Sequence, residues 1–171
     1  MRKIKLFIAS SLDGHIASED GGIDWLFSDA DYGYSSFYDS IDTVLVGRKT
    51  YDKALEFEKY PFKGKKVYVF TQRLADKSGD VEFASDAAKI AKRLSESQGK
   101  DIWLVGGSEI VTALLNAGLI DEIILSIHPI VLGRGIPLFS NIHKRCKMTL
   151  IKSTAFESGL VQLHYKVQRD T

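Results

Sequence analysis

The chain has 171 residues, 44% hydrophobic and 26% charged, with 23 Lys and Arg against 22 Asp and Glu. That length supports one domain with a sizeable core, and the near balance of charge excludes a global field that would draw nucleic acid or a membrane surface. Cys146 is the only cysteine, which excludes an intrachain disulfide and fits a reducing cytosol.

No apolar run approaches the roughly 20 residues needed to span a bilayer. Met1 to Lys5 leads straight into a strand pattern and lacks the apolar stretch of a leader, so a cytoplasmic location is expected. Lys3 to Ser10 is apolar enough for a buried strand, and a Gly- and Asp-rich loop follows from Ser11 to Gly22. Tyr34, Phe37 and Tyr38 share one face of a helix expected over Asp29 to Ser40. Thr43 to Val46 reads as a strand covered on both faces, and Thr50 to Phe57 as a brief helix ending before Pro61. A strand over Val67 to Phe70 follows a basic loop, with a short strand at Val81 to Phe83. Ala87, Ile90, Ala91 and Leu94 mark an amphipathic helix. After the strand Ile102 to Val105, Ile110, Ala113, Leu114 and Ala117 mark another, with Ser108 placed as N-cap and Gly118 as the stop. Glu122 to His128, Lys147 to Lys152 and Leu160 to Val167 read as strands. Strands alternating with helices and then giving way to strands imply an α/β fold, a mostly parallel sheet with an antiparallel edge.

Strands ending in glycine and running into helices carry the chemistry. Gly106-Gly107 lets a phosphate approach the backbone, with amides of the next helical turn pointing at it, or is simply a tight turn. It is neither the G-x-G-x-x-G dinucleotide fingerprint nor a Walker loop. Gly47-Arg48-Lys49-Thr50 sets two cations at a helix N-terminus, where the dipole already places positive charge; either an anion offsets that cost or the corner is merely solvated. Arg73, ending another strand, falls on the same sheet edge, the ligand edge of open α/β sheets. Arg48 and Arg73 together suit a 2′-phosphate and favour NADP over NAD.

The loop Ser11 to Ala17 is either a connector or a lid over a cofactor ring. Asp29 suits a helix N-cap, whereas Asp31 is the candidate acid, its pKa raised if it is buried in the pocket. His15, His128, His143 and His164 show no metal-ligand spacing, so no metal is expected. No serine sits in a nucleophile elbow.

In this order, Ser11 to Ala17, Val46 to Tyr51, Val69 to Arg73, Leu104 to Ile110 and Pro129 to Phe139 resemble the dihydrofolate reductase-like superfamily over nearly the whole chain. The resemblance is closest to the branch of the riboflavin-biosynthesis reductase C-terminal domain. It implies a three-layer fold with flanking helices and an NADPH-dependent reductase acting on a pterin or ribosylaminopyrimidine-like small molecule. A 5-amino-6-(5-phosphoribosylamino)uracil reductase-like activity is the reading; a dihydrofolate reductase proper and a non-catalytic NADPH sensor are the alternatives. By the same resemblance Ala9, Leu12 and Ile16 line the nicotinamide, and Gly47, Arg48, Lys49 and Thr50 hold the phosphates. Thr71, Gln72 and Arg73 surround the 2′-phosphate, Gly106, Gly107, Ser108, Glu109 and Ile110 cradle the pyrophosphate, and Val105 is a further cofactor-binding residue. Asp31 is the acid on the substrate ring, Ser126 the hydroxyl assisting it, and the assembly a homodimer. Riboflavin-type reductases carry a basic segment before the glycine turn; here Asp31 to Asp39 is acidic and aromatic, which counts against an anionic substrate.

Overall fold

The computed structural model describes residues 1–73 and 78–170. In chain order the elements are β1 Ile4–Ser11, β2 His15–Ala17, α1 Tyr34–Asp39, β3 Ile41–Gly47, α2 Arg48–Phe57, β4 Lys66–Phe70, β5 Val81–Ala84, α3 Ala87–Ser95, β6 Asp101–Gly106, α4 Ser108–Asn116, β7 Glu122–His128, β8 Ile136–Pro137, β9 Met148–Ala155 and β10 Val161–Val167. Eight strands form one sheet in the order β5-β4-β3-β6-β1-β7-β10-β9. The strands from β5 to β7 in that order run parallel, β10 is antiparallel to β7, and β9 is antiparallel to β10. The expected parallel sheet with an antiparallel edge is the one observed.

Two apolar layers cover the sheet. On one face, Ala91 and Leu94 of α3 and Ile110, Val111 and Leu114 of α4 pack on Ile4, Leu6, Leu45, Ile102 and Leu104. On the other, Phe37 of α1 and Tyr51 of α2 pack around Val44, Val46, Val67, Val69 and Trp103. Val44, Leu45 and Val46 are fully buried, as a central strand covered on both faces requires. Gly118 (φ 68) ends α4 in the left-handed region, with Gly118 N–H bonded to Leu115 O and Leu119 N–H to Leu114 O.

Three local expectations change. Tyr32 and Gly33 both have positive φ (52° and 81°), so the helix cannot extend back to Asp29 and α1 is only 6 residues. The helix after Gly47 starts at Arg48 rather than Thr50, and Gly107, not Ser108, is the N-cap of α4. Within the Gly- and Asp-rich loop, His15–Ala17 instead forms a short strand that pairs with Ile136–Pro137 as the antiparallel ribbon β2–β8.

At the strand-start edge of the sheet, Glu122 accepts from Lys3 Nζ and His164 Nε2, both at 2.7 Å, and Lys5 pairs with Asp101 at 2.8 Å. Burial would raise both carboxyls, but hydrogen bonds from Lys3 and His164 to Glu122, and from Lys5 to Asp101, hold them below their ordinary values. A carboxyl depressed in the folded state contributes stability above the unfolded value of about 4, which is lost as pH falls through the folded value. The urea midpoint should therefore drop between neutral pH and pH about 3, and Glu122→Gln should flatten that dependence. An unchanged slope in the variant would remove Glu122 from the account.

Candidate active site

Adjacent parallel strands β3 and β6 send their following helices to opposite faces of the sheet, α2 to one and α4 to the other. A crevice opens at the carboxyl ends of strands where connections diverge in this way. There the two glycine turns abut. A Cβ on Gly47 would lie 3.4 Å from Gly107 N and 3.5 Å from Gly106 O. One on Gly107 would lie 3.2 Å from Thr50 Oγ1 and 3.7 Å from Ile16 Cδ1. The Gly106-Gly107 peptide is cis. Backbone thus meets backbone in a cradle that side chains would fill. Neither helix has a side-chain cap, so the first-turn amides of both are free to meet an anion.

Arg48 is exposed, bonded through Nε to Asp52 at 3.0 Å, with its guanidinium 5.2 Å from the Phe83 ring centroid. An exposed i,i+4 pair contributes only about 0.3–0.5 kcal/mol, against about 1.5–3 for a hydrogen bond to a charged group, so a phosphate would win this side chain. Lys49 has no salt-bridge partner among the described residues. Gln72 and Arg73 stand exposed past the end of β4, where the Arg73 N–H donates to Thr71 Oγ1. Ser108 Oγ turns towards Leu138 O and Ser140 Oγ, each at 3.4 Å, tying α4 to the segment after β8.

The loop between β1 and β2 is clasped. Asp13 accepts from Ser11 Oγ (2.6 Å), Leu132 N–H (3.1 Å) and Gly133 N–H (2.8 Å). Leu12 N–H donates to Ile130 O and Leu138 N–H to Gly14 O. The Ser11 hydroxyl, with the two backbone amides, holds the Asp13 carboxyl far below the usual range despite an opposing desolvation. Leu12 projects outward, 67% exposed, while Ile16 reaches the glycine cradle.

Residues 2–162 match the RibD C-terminal domain family. This chain belongs to that family. YwjB of Bacillus subtilis (strain 168) is 42% identical over 170 residues, covering 96% of this chain and 97% of YwjB. A solved protein from Shewanella sp. PV-4, named for riboflavin biosynthesis, superposes with a TM-score of 0.86 at 28% identity, covering 98% of this chain and 99% of that one. A dihydrofolate reductase from Enterococcus faecalis, complexed with NADP(H) and RAB-propyl, superposes with a TM-score of 0.72 at 14% identity, covering 98% of this chain and 97% of that one. The latter likeness is one of fold, and the fold is dihydrofolate reductase-like.

Across β1, β7 and β10 of this RibD C-terminal domain, Ala9, Ser126 and Gln162 lie in register on one row. Ser126 is 7% exposed, and its Oγ accepts from Gln162 Nε2 at 3.1 Å. The same amide donates to Tyr32 O at 2.9 Å, which fixes the chain entering α1 against the sheet. One step along β7, His128 Nε2 accepts from the Phe27 N–H at 3.1 Å, and its Nδ1 faces Ser126 O at 3.2 Å. Since an N–H can only donate, Nε2 carries the lone pair, Nδ1 carries the proton, and the ring is neutral.

Asp31 departs from its expected state. It is exposed rather than buried, and its carboxylate folds back onto Ser35, accepting from Oγ at 2.5 Å and from N at 3.1 Å. Those bonds, the Ser35 hydroxyl foremost, hold it below the usual carboxylate range, the reverse of a buried acid. Asp31 reaches Ser126 only through the neighbouring Tyr32 carbonyl and Gln162. Sequence reasoning missed Gln162, His128 and Asp13. Asp13-Gly14 marked only a turn, and nothing local sets Gln162 apart; its role comes from the β7–β10 register. The clefts of about 280 Å³ beside Cys146 and about 610 Å³ beside Glu122 lie at the opposite, strand-start edge.

Proposed function

We propose that this protein is an NADPH-dependent reductase that delivers hydride to a planar C=N or C=O acceptor of the pterin or aminopyrimidine kind. The abutting glycine turns carry this reading, because backbone amides from both helix starts converge where a Cβ would fill the space. Gly47, Thr50 and Gly106 to Ile110 would hold the pyrophosphate, and Arg48, Lys49, Thr71, Gln72 and Arg73 the 2′-phosphate. Ala9 and the clasped segment Leu12 to Ile16 would back the nicotinamide and exclude water. When bound, the cofactor supplies the hydride, and the protein's part is alignment. Ser126, steadied by Gln162, retains a hydroxyl proton to hold the acceptor's polar edge.

The fold shared with an NADP(H)-complexed reductase supports the cofactor class, and membership of the RibD C-terminal domain family supports a reductase. β9 lies at the sheet edge with Leu150 and Ile151 each 51% exposed, which supports a homodimer through strand addition. No helix among the described residues is long and apolar enough to cross a membrane, in keeping with a cytoplasmic enzyme. Calorimetric titration with NADPH, NADH and ATP tests the site: NADPH should bind tightest, and a preference for ATP would refute it. Loss of dihydronicotinamide absorbance with candidate pterins then separates an enzyme from a binding module, which holds cofactor without turnover.

A further inference from the structure

We infer that the acceptor end of this site selects a planar ring bearing a fixed positive charge, of the N-alkylpyridinium or N-alkylquinolinium type, and rejects phosphorylated acceptors. The inference rests on the hydride-transfer reading above and narrows it.

The first support is a partition of charge across the site. Between β2 and α1 the chain carries Glu19, Asp20, Asp24, Asp29 and Asp31 and no lysine or arginine, whereas Arg48, Lys49 and Arg73 follow at the proposed cofactor end; the cation on the aromatic side is Lys65, whose Nζ lies 4.4 Å from the Tyr38 ring centroid. The segment between β2 and β3 carries aromatic rings and carboxylates, and its Tyr32 carbonyl accepts from Gln162. Tyr32 packs edge-on against Phe156, with centroids 4.8 Å apart, while its hydroxyl donates to Asp29 at 2.7 Å. Asp31 stands ionised one residue before it. Tyr34, next along, is 40% exposed; burial, then the charges of Glu58 and Asp31, push its hydroxyl up. Aromatic faces beside carboxylates attract a cation, and the same carboxylates repel a phosphate. Opposite poles would also orient the reactants, drawing an anionic cofactor to one end and a cationic ring to the other.

The second support is proton economy. Reducing a neutral C=N requires a proton as well as a hydride. Asp31 is a carboxylate, not an acid. His128 is neutral, with Nε2 accepting from Phe27 and Nδ1–H directed at the Ser126 carbonyl. Ser126 accepts from Gln162 and keeps its hydroxyl proton for a hydrogen bond, but an aliphatic hydroxyl is far too weak an acid to give that proton up. None of these groups is set to release a proton. A cationic acceptor needs none. Hydride leaves dihydronicotinamide C4 with its electron pair and bonds to the ring carbon. The C=N π pair moves onto nitrogen and cancels its charge, and the nicotinamide becomes the cation. Atoms, electrons and charge balance without an acid.

The experiment titrates full-length protein, with and without saturating NADPH, against two matched pairs at neutral pH: N-methylquinolinium against 4-methylquinoline, and riboflavin against riboflavin 5′-phosphate. The cation should bind about tenfold tighter than its neutral counterpart, and the phosphate ester about tenfold weaker than its alcohol. Both gaps should shrink with added salt. Asp29→Asn with Asp31→Asn should narrow both gaps while leaving NADPH affinity unchanged. Glu58→Gln, outside the α1 entry turn, supplies the same readout should the double variant fold poorly. A phosphate ester that binds as well as its alcohol, absence of binding by every ring, or gaps indifferent to salt and to the variants overturns the inference. With NADPH still bound, those results leave the reductase reading intact. If NADPH fails to bind, the reductase reading falls, and the cofactor-free titrations still decide the charge preference.

Discussion

Replacing Arg48 and Arg73 together by alanine should weaken NADPH about a hundredfold while changing NADH only a few-fold. Each guanidinium lost from a phosphate forfeits about 1.5–3 kcal/mol, and the exposure of both side chains argues for the lower end. Two losses of about 1.5 kcal/mol each amount to roughly two powers of ten, at about 1.4 kcal/mol per power. Arg48 is held in the free protein only by the exposed Asp52 pair and the Phe83 ring, so its removal should barely affect folding. Titration of both cofactors into the double variant, alongside a thermal melt, measures these effects separately. Equal losses for NADPH and NADH would remove these arginines from the 2′-phosphate.

Gly135→Ala should be the most damaging single change near the lid. A Cβ there would lie 2.4 Å from Ala17 O and 3.2 Å from His15 Cβ, so β2 must move away from β8. Overpacking of this kind costs about 1–3 kcal/mol, and each kcal/mol lowers the melting temperature of a chain of this size by about 2–4 °C. The larger consequence is functional: β2 carries Ile16 towards the glycine cradle, and displacing it should slow turnover even where protein remains folded. Gly133→Ala is the control, because no atom lies within 4 Å of its added Cβ, although its φ of 76° is unfavourable to alanine. A Gly135→Ala protein that melts and turns over like the parent would refute the account.

The fold was legible from the chain because its signals are local. Val44 to Val46 is apolar without alternation, the period of Ile90, Ala91 and Leu94 is helical, and glycine stands where strands turn into helices. The cradle was legible for the same reason, since Gly47 and Gly106-Gly107 are punctuation within short segments. What escaped depends on partners far along the chain. β2 and β8 are 3 and 2 residues long and exist only through each other. Asp13 looks like half of a turn until residues about 120 positions away supply its amides. The exposure of Asp31 is not legible in the chain, because burial is a property of the assembled fold. Two left-handed residues after it leave its carboxylate outside α1, free to bond Ser35.

The abutting turns also divide the labour of change within this site. In the proposed reading Gly47 and Gly107 would bind through main chain, so drift in surrounding side chains could not readily retune them, and any larger residue meets an atom within 4 Å. The acceptor end is built the other way, from side chains on the long connection between β2 and β3, anchored at Phe27 by His128 and at Tyr32 by Gln162. On that reading geometry would hold the donor fixed, while the acceptor would stay open to substitution. Exchanging the stretch between those two anchors would be the economical way to retarget the enzyme without rebuilding it.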